Sequence, residues 1–246
     1  MTALKLRTRC VRGTTPDVMT VGVHFAASGA ATDQAISSLD QFFRAVAEFG
    51  SIGGFAGDSI PPEQSSIMLR GRSDDVQQAS WQFDQVRVDP GLLGLFENIA
   101  RRTSAWVAPI DELTVSSSMC RHPERLPRSV FPPTRSLPFR FENLSDDRRV
   151  VVSVEFIDPQ SEANRQRFMV AWEAWVKLTE SGAFSDETHD VTETGVIVAD
   201  LPQSVPSGMM FRHERVRLPD FAFDCLVNAF ACLHSRIAPL EEVVIA

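Results

Sequence analysis

Alternating apolar and polar residues mark the first elements of the chain. Two alternating stretches, residues 4–11 and 19–25, are typical of β-strands with one buried face. Apolar residues then recur every three or four positions, which predicts an amphipathic helix that Thr32 or Asp33 caps and Gly50 ends. The apolar stripe of this helix consists of Ile36, Leu39, Phe43 and Val46.

The rest of the first half adds two strands, a helix and a closing strand. Strands are predicted at residues 67–70 and 81–88. Asp89-Pro90 indicates a helix start, because the carboxylate caps free N–H groups and proline lacks an N–H that the first turn leaves unpaired. This helix carries the stripe Leu93, Phe96 and Ala100, and a strand follows at residues 112–115.

The second half repeats this order of elements. Strands are predicted at residues 139–141 and 150–156, and the next helix places Phe168, Trp172 and Trp175 on one face. Strands at residues 196–198 and 209–218 come next. A last helix with Phe223, Leu226, Phe230 and Leu233 precedes a strand at residues 242–245.

Adding 130 to a residue number aligns the two halves without a gap from residue 67 onward. The best match sets APIDELTV at residues 108–115 against APLEEVVI at residues 238–245. We therefore predict an α+β fold of two tandem ferredoxin-like (β-α-β-β-α-β) repeats, with antiparallel sheets that each carry helices on one face. The alternative is that shared periodicities alone make two unrelated α+β segments look alike.

The predicted division is a first repeat at residues 1–115, a linker at 116–138 and a second repeat at 139–246. Residues 116–138 are rich in proline, arginine and serine and show no apolar period, which is typical of a linker.

Composition restricts the class of partner. The net charge of −8 and the pI near 5.2 argue against nucleic acid, whose phosphates are held by clustered positive charge. No long uncharged apolar stretch could span a bilayer, and the first residues do not resemble a signal peptide, so no membrane contact is expected. Four scattered cysteines without a C-x-x-C pair favour a reducing compartment over a disulfide framework. We interpret the chain as cytoplasmic.

Candidate binding residues come from the sheet faces that the helices leave uncovered. If Val86 and Val88 face the helices, alternation turns their strand neighbours to the other face, and the repeat does the same in the second half. That surface would gather aromatic and charged groups, which suits a ligand pocket or a partner interface. The candidates are His24, Trp81, Phe83, Arg87, Glu155, Phe211, His213, Arg215 and Arg217. The alternatives are that the sheets pack together there or that the charged members lie in solvent.

Other motifs favour ordinary structural roles. The glycine-rich residues 50–57 follow a helix instead of a strand, so they indicate a flexible connection and not a phosphate loop. His189 in an acidic run and the pair Cys120 and His122 match no metal-site spacing. Cys225 and Cys232 share a helix face and are expected to pack as small apolar residues. No nucleophile elbow, metal motif or cofactor motif is present in the sequence.

Two functions remain in competition. The first is a non-enzymatic protein-interaction module, such as an inhibitor, immunity or accessory protein, that uses its acidic surface to hold a protein partner. The second is an enzyme or small-molecule-binding protein with a pocket between the two sheets, where His24, His213, Glu155 and the arginines act as acid, base and anion clamp. A purely structural subunit also stays open. The negative charge and the missing catalytic signatures favour the first function, without a cofactor.

Overall fold

The computed structural model describes residues 6–57, 60–120, 137–144, 149–185, 203–205, 207–214 and 218–246. The first half consists of β1 (Arg7–Arg12), β2 (Val18–Phe25), α1 (Ala30–Ser51), β3 (Ser66–Asp75), β4 (Gln78–Val86), α2 (Leu92–Trp106) and β5 (Ile110–Ser117). The second half consists of β6 (Arg140–Asn143), β7 (Arg149–Phe156), α3 (Glu162–Glu180), β8 (Gln203–Val205), β9 (Gly208–Glu214), α4 (Asp220–Arg236) and β10 (Leu240–Ile245). The predicted α+β class is confirmed. The strand predicted at residues 196–198 lies outside the described residues.

Each half contributes one five-stranded sheet, in the orders β1-β5-β2-β4-β3 and β6-β10-β7-β9-β8. β1 runs parallel to β5, and β6 runs parallel to β10, whereas all other neighbouring strands are antiparallel. The prediction of antiparallel sheets is therefore wrong at one edge of each sheet. The physical reason is that the first strand of each half pairs beside the last strand of that half, a long-range choice that local periodicity does not encode.

The four described α-helices, α1 to α4, lie between the two sheets. Phe43 of α1 packs edge-on against Trp81 of β4 at a centroid distance of 4.7 Å, and Trp172 of α3 stacks on Phe211 of β9 at 5.1 Å. α1 in turn packs on α3, so the helix layers of the two halves meet and share one core. Each sheet therefore has one face on the helices and one open face, and the two open faces point away from each other.

The predicted outward direction of Trp81, Phe83 and Phe211 is wrong. All three side chains are fully buried on the helix side, whereas Val86 is 49% exposed. Strand β4 ends at Val86, and Arg87 follows with a left-handed φ of 46°, so the alternation does not continue to the buried Val88. The two β4 aromatic rings also bury much more apolar area than valine does, which fixes the phase of the strand.

Residues 50–57 are packed and do not form the predicted loose connection. Gly53 has a φ of 80°, and a Cβ added there would lie 2.4 Å from the carbonyl oxygen of Pro62. The segment is buried against α4, where the Asn228 side chain donates a hydrogen bond of 3.2 Å to the carbonyl of Ala56. Glycine is thus needed here because this connection is part of the contact between the halves.

One pair of cysteines is bonded. Cys10 of β1 and Cys120, just beyond β5, form a disulfide with a Cα–Cα distance of 5.8 Å, although 110 residues separate them in sequence. The prediction that the cysteines stay reduced is wrong for this pair, because the parallel β1–β5 ladder brings the two positions together. The cysteines therefore no longer support a cytoplasmic location, which stays a prediction. Cys225 and Cys232 are free and buried, which confirms their predicted packing role.

Candidate functional site

The open face of the first sheet carries a row of small side chains. Gly22 of β2 pairs with Ser80 of β4 on one side and with Thr114 of β5 on the other, and Ser80 pairs with Ser73 of β3. Paired residues of neighbouring strands project on the same side of a sheet. These four residues therefore cross the sheet as a low floor.

A row of larger polar residues borders this floor. His24 of β2 pairs with Gln78 of β4 and Glu112 of β5, and Asp75 of β3 pairs with Gln78. Floor and border enclose an open depression of about 330 Å³, which we call the Gly22 depression. Its lining consists of Gly22, Val23, His24, Ser73, Asp74, Asp75, Gln78, Ala79, Ser80, Glu112 and Thr114.

Gly22 sets the depth of the depression. A Cβ placed on this residue would have no neighbouring heavy atom closer than 3.9 Å, the distance to the carbonyl oxygen of Thr114. A Cβ at this position would therefore point into the depression without disturbing the sheet. Glycine is disfavoured inside strands, and here its missing side chain leaves room for a contacting group.

Carboxylates dominate the electrostatics around the depression. Glu112 Oε1 lies 3.1 Å from Arg9 Nη1 and accepts a hydrogen bond of 3.4 Å from the Thr114 hydroxyl. Asp74 Oδ2 lies 2.8 Å from Arg72 Nη2. His24 Nδ1 is 3.9 Å from Asp111 Oδ2 at the rim. Arg72 also contacts Asp40 of α1, so the Arg72–Asp74 ion pair lies on the helix side of the sheet. On the open face Arg7 pairs in register with Glu112. The carboxylates there, Asp75, Asp111 and Glu112, outnumber Arg7 and Arg9, so a positively charged group is favoured.

The sequence candidates do not meet in one place. His24 is on the open face of the first sheet, as predicted, and borders the Gly22 depression. Glu155 is exposed on the open face of the second sheet, where it pairs with Glu242, on the opposite side of the molecule. Arg87 is exposed at the end of β4, and its guanidinium donates to the side chain of Gln64. Arg215, Arg217 and the side chain of His213 lie outside the described part of the structure.

The helices occupy the space where an enzyme pocket between the sheets was predicted. Trp81, Phe83 and Phe211 help to fill that space as core residues. Of the groups assigned there to acid, base and anion-clamp roles, His24 and Glu155 lie on opposite open faces. The described residues therefore do not bring these groups together as one catalytic set.

The described residues contain no cluster of three histidine, cysteine, aspartate or glutamate side chains that could hold a metal ion. Burial raises the pKa of the Cys225 thiol well above its ordinary value, and the charges of Asp224 and Asp89 raise it further. A thiol held in its neutral form is a poor nucleophile.

None of the described helices is long and apolar enough to cross a membrane.

Periodicity did not identify the other residues of the depression, although a signal for them exists. If Trp81 and Phe83 set the buried phase of β4, then Ser80 and Gln82 face outward. Pairing cannot be read from the sequence, however, so nothing there places Gly22 between Ser80 and Thr114.

Comparison with known proteins gives distant likenesses only. No protein-family model matches the sequence, and no curated protein matches it. The periplasmic protease PqqL from Escherichia coli aligns with 91% of this chain at 8% identity and a TM-score of 0.20. The ferredoxin protease FusC, solved as a mutant in complex with Arabidopsis ferredoxin, aligns with 91% at 13% identity and a TM-score of 0.19. A putative M16-like peptidase from Alicyclobacillus acidocaldarius aligns with 93% of this chain and 76% of its own at 8% identity and a TM-score of 0.22.

This chain spans about a third of the length of the first two of these proteins, 34% of PqqL and 36% of FusC. At such TM-scores the likenesses carry no argument about fold or function.

Proposed function

We propose that this chain is a protein-interaction module that holds a segment of a partner protein on the open face of its first sheet. The observation that carries the proposal is the Gly22 depression, a recess with a floor of small residues and a border that includes carboxylates. No cofactor takes part in this function.

Exposed apolar residues on the same face favour a protein over a small molecule. Met68 is 62% exposed and Val86 is 49% exposed. Met68 pairs with Asp84, and both Asp84 and Val86 alternate in phase with Ser80 along β4, so all of them project on the open face. Protein interfaces combine apolar contacts with a few charged groups in this way. A partner segment that crosses the face would contact the apolar residues at one end and the depression at the other.

The charge of the site points to a basic partner segment. Carboxylates outnumber arginines around the depression, and the whole chain carries a net charge of −8. Complementary charge chiefly speeds association and excludes wrong partners. An arginine or lysine of the partner fits the depression, since its head group can reach Asp75 and Glu112 over the low floor.

Filling the depression tests the proposal. Gly22→Leu should project into the recess. Ser153→Leu is the matched control, because Ser153 of β7 lies between the buried Val152 and Val154 and therefore projects from the open face of the second sheet. The probe is a labelled extended peptide of alternating arginine and valine, with a glutamate-for-arginine copy as its counterpart. We expect Gly22→Leu to weaken binding of the basic peptide about tenfold and Ser153→Leu to change it less than about twofold.

Two outcomes would overturn the proposal: equal binding of the basic and acidic peptides, or an unchanged affinity of the Gly22→Leu variant. Photo-crosslinking of the same three proteins in a cell extract extends the test to natural partners. A partner crosslinked by the wild type and by Ser153→Leu, but not by Gly22→Leu, binds this face.

We also propose that the chain is a tandem duplication of a ferredoxin-like unit with one added edge strand, divided at residues 1–115, 116–138 and 139–246. The equal strand orders of the two sheets support the duplication. Gly53 and Gly182 also adopt similar positive φ angles, 80° and 73°, in the segments that follow α1 and α3.

A further inference from the structure

Strand β1 is an edge strand that a covalent bond attaches to its sheet. Cys10 lies within β1 and pairs in register with Val115 of β5, and its sulfur is bonded to that of Cys120, three residues beyond the end of β5. Both cysteines are buried, at 3% and 4% exposure. The bond therefore joins the outermost strand of the first sheet to the neighbouring strand.

Apolar contacts contribute little to holding β1 on its sheet. Cys10 is the only buried residue of β1. Leu6, which precedes the strand, is the only other buried apolar residue in this part of the described chain. The remaining β1 side chains are exposed or partly exposed, including three arginines. Apolar burial is the main force that holds an edge strand in place. Without the disulfide, β1 keeps its backbone ladder with β5, the hydrogen bond of 3.1 Å from the Thr8 hydroxyl to Glu97 of α2, and the exposed Arg9–Glu112 ion pair.

The equivalent strand of the second half is anchored differently. β6 has the same place and direction in its sheet, and it has no disulfide. Two aromatic residues, Phe139 and Phe141, pack there against the core. Phe141 pairs with Val243, and the matching position of β1, opposite Leu113, is Thr8. The first sheet thus has a covalent bond where the second has an aromatic anchor.

We propose that the Cys10–Cys120 disulfide is a redox latch that keeps β1 on the edge of the first sheet. A dithiol reductant breaks the Sγ–Sγ bond, each cysteine sulfur takes up one electron and one proton, and the reductant is oxidised to its own disulfide. Once reduced, β1 leaves the sheet and β5 becomes the edge strand. The outer N–H and C=O groups of residues 112–117 then become free to pair with another chain.

Release of β1 also acts on the Gly22 depression. Arg9 moves away with the strand, and Glu112 loses the guanidinium that lies 3.1 Å from its carboxylate. The depression becomes more negative, so reduction should strengthen its contact with a basic segment. This consequence rests on the proposed function, whereas the latch itself does not.

Hydrogen exchange measured by mass spectrometry tests the latch without any partner. The intact protein is compared before and after treatment with dithiothreitol, and peptides that cover residues 6–12 are compared with peptides from β2 and β4. We expect exchange in β1 to become about tenfold faster or more on reduction, while β2 and β4 keep their protection.

The variant Cys10→Ala/Cys120→Ala separates the disulfide from other effects of the reductant. It should show the fast β1 exchange of the reduced wild type with and without dithiothreitol, although Cys225 and Cys232 are still present. Unchanged β1 protection after reduction would overturn the latch. Loss of protection throughout β2 and β4 would overturn it as well, because the bond would then hold the whole sheet and not one strand. Either failure leaves the peptide-binding test of the Gly22 depression unaffected.

Discussion

Asp40 of α1 connects its helix to the sheet through a single carboxylate. Oδ1 accepts a hydrogen bond of 3.1 Å from Trp81 Nε1, and Oδ2 accepts one of 2.8 Å from Arg44 Nε. Burial by itself raises the pKa of Asp40, but the hydrogen bonds from Arg44 and Trp81 and the charges of Arg44 and Arg72 outweigh it. The pKa therefore lies below its ordinary value, and the folded protein favours the charged form.

The variant Asp40→Asn should lower the free energy of unfolding by about 1 kcal/mol at pH 7. Since the folded-state pKa is lowered, the contribution of the charge is complete above the unfolded-state pKa of about 4 and is lost as the pH falls through the folded-state value. Urea unfolding at pH 7 and pH 3 measures this difference, which should shrink at the lower pH. Glu48→Gln, at an exposed position of the same helix, is the control and should change stability little at either pH. A loss that is equal at both pH values would contradict the role of the charge.

The pKa of Asp224 in α4 is shifted in the opposite direction to that of Asp40. Burial raises its pKa to about 6, and the negative charge of Asp220 adds to the shift. The folded protein therefore binds a proton at this carboxyl more tightly than the unfolded chain does. The contribution of Asp224 to the free energy of unfolding therefore increases as the pH falls from 7 through 6 toward 4. It is lowest where Asp224 is charged.

Asp224→Asn should stabilise the protein at pH 7.5, by about 1 kcal/mol after allowance for solvent screening, or about 2–4 °C in Tm. Calorimetric scans at pH 7.5 and pH 4.5 check this, and the gain should be smaller at pH 4.5, where the native carboxyl is protonated. Asp220→Asn is the informative control: it should lower the pKa of Asp224, as followed by NMR titration. A stabilisation that does not depend on pH would point to packing as its cause.

At the scale of elements, helical periodicity was the most informative signal. The predicted stripe of α1, Ile36, Leu39, Phe43 and Val46, is buried as expected, because a surface helix is determined largely by its own apolar face. The start of α1 was less accurate. The helix begins at Ala30 after Gly29, and Thr32 does not cap it but donates its hydroxyl to the carbonyl of Ala27.

Strands were harder to predict because their environment depends on partners far away in the sequence. The sequence prediction sets the phase of β4 by Val86 and Val88. One left-handed residue between them, Arg87, interrupts the alternation and makes the predicted face wrong. The parallel edge strands and the Cys10–Cys120 bond depend on a pairing across about a hundred residues, which no local pattern encodes. Of the residues that line the Gly22 depression, the sequence predicts only His24 as a candidate. Val23, its neighbour in β2, is buried, so alternation alone places His24 on the open face.

At the scale of the molecule, the two halves hold each other through reciprocal contacts. Asn98 of α2 donates hydrogen bonds of 2.8 Å to the carbonyls of Ala183 and Ser185, which follow α3. Asn228 of α4 donates to Ala56, which follows α1. The two asparagines are related by the same shift of 130 residues that aligns the halves. Each half thus binds the segment after the first helix of the other.

We expect the wild type to unfold in one transition, because the helix layers of both halves share a core. Asn228→Ala should cost about 2–3 kcal/mol, since its side chain is fully buried and leaves the Ala56 carbonyl without this donor, and Asn98→Ala should cost about 1–2 kcal/mol. The double variant should lose about the sum of the two free energies, because the two contacts are separate. The ratio of van't Hoff to calorimetric enthalpy should also fall, because the halves become less coupled. Asn164→Ala is the control, because the hydrogen bonds of that residue to Gln160 and Ser161 stay within one half. A double variant as cooperative and as stable as the control would mean that the shared apolar core alone couples the halves.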